Sequence, residues 1–121
     1  MSNSPVLVLD TVGLLSRCYS YGQLAYVGGA MGISGLHNIL EPASEGIPVI
    51  IGKNYSKFPE AIALTNLGGV VSISSSKACT QLILELMQNE SLRYEKGTIN
   101  STYITQNQGA TQRTLKLLNK V

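Results

Sequence analysis

Charge is the first thing this chain is short of. Only 13% of its 121 residues are Asp, Glu, Lys or Arg, where an ordinary domain carries nearer a quarter. Nine basic and seven acidic residues leave a net +2 and form no basic run, so the electrostatic footprint of a nucleic-acid binder is absent. Apolar runs are also short: none approaches the roughly 18 residues that a membrane span needs. The opening "MSNSPVLVLD" lacks the basic start and long apolar centre of a signal peptide. There is one histidine, and the two cysteines, Cys18 and Cys79, lie far apart without a CxxC pair. That excludes an ordinary zinc site; no metal and no cofactor is expected. Both cysteines fall in helix-like segments and read as small buried hydrophobes of a reducing compartment. The expectation is a soluble, cytoplasmic chain.

What is present is apolar and rhythmic. The composition is 44% hydrophobic, and the length fits one domain able to bury a core without disulfides. "PVLVLD", "LAYVGG", "IPVIIG" and "VVSI" are short runs rich in branched residues, the pattern of strands buried on both faces. Between them lie helix-like segments. "TVGLLSRCYSYG" has Leu14, Leu15, Cys18 and Tyr21 near helical spacing and stops at Gly22. "NILEPASEG" closes at Gly46, and "KFPEAIALTNLGG" has Pro59 in its first turn and a glycine stop. "SSSKACTQLILELMQNES" is capped by Ser75 or Ser76 and repeats Leu82, Ile83 and Leu86 on one face. From Leu92 the pattern is helical, with a break expected near "QNQG" and a final helix, "GATQRTLKLLNK", turning Leu115 and Leu118 inward. Strand–helix alternation of this kind predicts an α/β fold: an open parallel sheet with helices on both faces.

The unusual chemistry gathers in "YVGGAMGISGLHNILEPASEGIPVIIG", Tyr26 to Gly52. In open parallel sheets ligands bind beyond the carboxyl ends of strands, and Gly28–Gly29 sits at such an end. Glycines let a ligand approach the backbone, and a following helix start offers free N–H groups to an anion. The loop is neither a Walker loop nor a GxGxxG turn, and no GxSxG elbow occurs. On spacing alone the glycines fit a tight turn as well as a ligand loop. Asn38 and Glu41 have the spacing of a capping box, although Pro42 withholds the N–H that would bond the Asn38 carbonyl. The functional reading has Glu41 accept two vicinal ribose hydroxyls. His37 reads as a loop or phosphate hydrogen-bonding group rather than an acid–base catalyst. Asp10, ending the first strand, reads as a helix cap, and Arg113 as a solvated helix residue.

Together, "YVGGAM…SGLHNILEPASEGIPVIIG" and "QNQGATQR" resemble the bacterial Kdo transferases, whose members typically show VGGS, GGHNPLEPA, PVLxGP and QNxGAxxR in this order. These enzymes attach 3-deoxy-D-manno-octulosonic acid (Kdo) from CMP-Kdo to lipid A precursors in lipopolysaccharide biosynthesis. The resemblance covers essentially the whole chain. It implies that residues 1–121 are most of the C-terminal, nucleotide-sugar-binding lobe of a two-lobed GT-B glycosyltransferase of the inverting type, a Rossmann-like lobe. The acceptor lobe, with its catalytic base and membrane-associating segment, would be absent, so no catalytic residue is expected here and the fragment alone would be inactive. It also implies CMP-Kdo as donor, a lipid A precursor as acceptor through the other lobe, and residence on the cytoplasmic face of the bacterial inner membrane. Carried over position by position, the donor site would comprise Gly28, Gly29, Ala30, Gly35, His37, Asn38 and Glu41. Three positions depart from the family: Ala30 replaces a serine, Leu36 a glycine and Ile39 a proline. The abrupt strand-like start agrees with a piece of a longer protein, and the sparse charge with a fragment that dimerises through an otherwise covered face. The alternative is a stand-alone nucleotide- or partner-binding α/β module without catalysis. A flavodoxin- or response-regulator-like domain would want an acidic pocket that Asp10 alone does not provide.

Overall fold

A computed structural model describes residues 18–32, 35–36 and 38–119, with 108–119 as helix backbone. Three strands, β1 (Ala25–Val27), β2 (Val49–Ile51) and β3 (Val70–Ser72), form a parallel sheet in the order β1-β2-β3. Among the described residues the helices are α1 (Leu40–Ser44), α2 (Pro59–Leu67), α3 (Ser76–Gln88) and α4 (Glu90–Asn119). The expected strand "PVLVLD" lies outside the described residues, as do Leu14, Leu15 and Asp10.

Alternation along the strands divides the core into two. Val27, Val49, Ile51 and Val70 point to one face, where Ala43 of α1 and Ala61 and Leu64 of α2 pack, with Tyr103 and Ile104 of α4 against them. Ile50 points to the other face and meets Leu86, with Cys79, Leu82 and Ile83 of α3 alongside. Helices therefore cover both faces, as the unbroken apolar run of β2 foretells.

Local signals set the helix ends. Pro59 starts α2, and Gly68, at φ 97°, ends it by donating its N–H to Leu64 and Thr65. Ser75 caps α3 by accepting the Ala78 N–H at 3.1 Å. α4 then clamps the molecule. Arg93 donates to the last carbonyls of α3, Leu86 and Met87. Lys96 donates to the Gly68 carbonyl at 2.8 Å, a cation at the negative end of α2. Fully buried Asn100 donates to the carbonyls of Ile47 and Gly69, just before β2 and β3. The approach is so close that a Cβ on Gly97 would run into the Gly46 carbonyl oxygen.

Three expectations need correction. The helix expected to break near "QNQG" does not break: α4 runs through Gln108 and Gly109 to Asn119. One glycine in a helix costs only about 1 kcal/mol, less than thirty residues of continuous hydrogen bonding supply. Cys18 is exposed, not buried, and only Cys79 packs into the core. Tyr21 is 89% exposed, because residues Tyr19–Tyr21 form a 3-10 turn, whose tighter pitch changes which side chains share a face. Among the described residues no helix is long and apolar enough to cross a membrane.

Candidate functional site

The carboxyl ends of all three strands open onto one rim, built from the segments that follow Val27, Ile51 and Ser72. After β1 the chain passes Gly28 and turns at Gly29, whose φ of 99° is open to glycine at little cost. Ala30 follows and is wholly buried in the core. The methyl is therefore a packing group: a serine there would put a hydroxyl into the apolar layer rather than toward a phosphate.

The loop is held from β2. A Cβ on Gly52 would lie 2.6 Å from both Ala30 C and Met31 N, so the Ala30–Met31 peptide lies directly on this glycine. Asn54 donates its backbone N–H to the Ala30 carbonyl at 2.7 Å and its side-chain Nδ2 to the Gly32 carbonyl at 3.1 Å. Ser72, ending β3, donates its hydroxyl to the Gly52 carbonyl at 2.9 Å. The three strand exits are thus stitched together side by side. Sequence reasoning missed Gly52, Asn54 and Ser72; the only local signal was a Gly and an Asn just past a buried strand.

The chain then reaches Gly35, at φ 97°, facing the Phe58 ring. No described residue other than glycine takes a positive φ, so Leu36 occupies the family's glycine position without left-handed strain, buried in the core with Ile39. Asn38 accepts the Leu40 N–H on Oδ1 at 2.9 Å. This is an Asx-turn and not the expected capping box: the N-cap is Ile39, which makes no side-chain cap bond, because the helix starts one residue later than the spacing of Asn38 and Glu41 requires. Glu41 is exposed in the first turn of α1, where the helix dipole favours its charge, while Pro42 and Ala43 behind it are buried. Gly46, at φ 73°, ends the helix. His37 lies outside the described residues.

Glu41 has an aromatic neighbour. The Tyr19 phenol is pushed above its ordinary 10.0, first by burial and then by the negative charge of Glu41. Tyr19 is thus a protonated donor throughout the physiological range, on a turn that packs against α1. A shallow cleft of about 230 Å³ separates Leu36, Ile39 and Leu40 from the start of α2, with Phe58 and Ala61 in its wall and Asn38 and Glu60 at its lip. Chemically, the connection from β1 to α1 carries backbone amides, the Asn38 amide and the exposed Glu41 carboxylate, group types that suit a phosphate and a diol. Among the described residues no three His, Cys, Asp or Glu side chains group together as a metal site would require.

Comparison with known proteins agrees with the resemblance read from the motifs. The chain is 34% identical over 118 residues to the 3-deoxy-D-manno-octulosonic acid transferase of Haemophilus influenzae, covering 96% of the chain and 28% of that protein. It is 29% identical to the enzyme of the same name from Chlamydia trachomatis serovar D, across 93% of the chain and 26% of the relative. It therefore spans little more than a quarter of the length of these curated relatives. Its fold matches a crystal structure of the C-terminal CMP-Kdo binding domain of WaaA from Acinetobacter baumannii, with a TM-score of 0.69 and 23% identity over 81% of the chain and 51% of that domain. No family model matches. Homology to Kdo transferases extends over most of the chain, and the expected α/β open-sheet class is the one found.

Proposed function

We propose that this chain is part of the C-terminal, donor-binding lobe of an inverting glycosyltransferase that moves Kdo from CMP-Kdo to a lipid A precursor. The observation that carries the reading is the similarity to the Haemophilus influenzae Kdo transferase, 34% identity across 96% of the chain, in a chain whose glycine loop follows β1 at the carboxyl end of a parallel sheet. In this reading Glu41 accepts the ribose hydroxyls. The amides of the loop from Gly28 onward, together with Gly35, His37 and Asn38, face the phosphate or the sugar carboxylate, while Ala30 shapes the loop from beneath. Departure of CMP places negative charge on the phosphate, and fixed backbone amides stabilise such charge without reorganising. The base that activates the acceptor hydroxyl belongs to the rest of a longer protein, as does attachment to the cytoplasmic face of the inner membrane.

Calorimetric titration of CMP into the full-length protein tests this. Glu41→Ala is expected to weaken CMP binding by at least about tenfold, the loss of charged-acceptor hydrogen bonds to two hydroxyls. Unchanged affinity would remove Glu41 from the nucleotide site.

A further inference from the structure

We infer that Asn54 is a positioning residue for the donor loop, one that sets the direction of the loop's amides without touching the nucleotide; the inference rests on the donor-site reading above. Asn54 reaches from the exit of β2 and takes two carbonyls of the neighbouring loop, Ala30 through its backbone N–H at 2.7 Å and Gly32 through Nδ2 at 3.1 Å. In a trans peptide the carbonyl and the following N–H point to opposite sides. Drawing the Ala30 carbonyl toward Asn54 therefore turns the Met31 N–H away from it. The Ala30–Met31 peptide cannot easily rotate back, because it lies against the Cα of Gly52 and the Ala30 side chain is locked in the core.

The Ala30–Gly32 part of the loop is thus preset rather than moulded by its ligand. Binding then avoids part of the ordering cost that a loose loop would impose. Asn54 is itself exposed, so its role is not that of a core residue, and the side-chain bond to Gly32 is the part a substitution can remove. The backbone bond to Ala30 survives in any variant, which sets a moderate scale for the effect.

The test is Asn54→Ala in the full-length protein, with CMP affinity, the KM for CMP-Kdo, kcat and the melting temperature measured together. The expected result is CMP binding weaker by about threefold to tenfold, the value of one hydrogen bond. KM should rise in parallel while the melting temperature stays within about a degree or two, as for a surface change. Asn54→Ser, which keeps a short donor, should recover part of the affinity. A merely structural role would lower the folded fraction, and so kcat, at unchanged dissociation constant and KM. That outcome overturns the inference, as does equal CMP affinity in wild type and Asn54→Ala. Wild-type protein that binds no CMP at all would instead sink the donor-site reading, and this inference with it.

Discussion

The two ends of the sheet treat their backbone in opposite ways. At the amino end, the carbonyls leading into β2 and β3 are consumed by a side chain from within the core: Asn100 takes Ile47 and Gly69, and Gly97 lets α4 close on Gly46. At the carboxyl end, the carbonyls of Ala30, Gly32 and Gly52 are consumed by exposed or half-buried groups, Asn54 and Ser72. One end is sealed and the other is held open in a fixed shape. Hydrogen bonds order both places, from a buried side chain at one end and from exposed or half-buried groups at the other.

Breaking the sealed end should cost the most. Gly97→Ala is expected to destabilise the protein by about 3 kcal/mol, as overpacking against an immobile backbone does. Alanine is the better helix former by about 1 kcal/mol, so chemical denaturation showing any stabilisation would mean that α4 does not close on Gly46 as described. Asn100→Ala should follow at about 2–3 kcal/mol, because it strands two buried carbonyls. The Asn100 Oδ1 already has no hydrogen-bond partner among the described residues and rests against Gly69. Both substitutions should leave CMP affinity unchanged in whatever fraction remains folded.

Breaking the open end should do the reverse. In Gly52→Ala the new methyl would meet the Ala30–Met31 peptide. The expected cost in stability is about 1–2 kcal/mol, smaller than at Gly97, with CMP binding weakened beyond what that loss of folded protein explains. Stability lost without any loss of affinity would show that the loop's shape is irrelevant to the nucleotide.

The sealed end was also the less legible one in the sequence. Asn100 sits in "GTINSTY", where an asparagine in a helix reads as a surface residue. Its importance arises only because α4 crosses the starts of two strands that lie far from it along the chain. The unbroken run of α4 through "QNQG" was misread for a related reason: local turn signals were weighed without the cost that a helix interior readily absorbs. By contrast, β2 announces itself by "PVII", α2 by Pro59 and Gly68, and α3 by Ser75, since each of these signals acts within a few residues. The residues proposed for the donor site were singled out by local signals of the same kind. Gly28, Gly29, Gly35, Asn38 and Glu41 occupy one short connection, and the rule that ligands meet the carboxyl ends of parallel strands places that connection without knowledge of packing. Asn54 escaped because its partners, Ala30 and Gly32, lie on a different connection.

The most direct measurement maps CMP onto the backbone amides of isotopically labelled protein by NMR. The expected result is shifts concentrated at Gly28–Gly32 and Leu40–Glu41, with Ile47, Gly69 and Asn100 silent. Shifts confined to the amino end of the sheet, or none at the glycine loop at saturating CMP, would contradict the account.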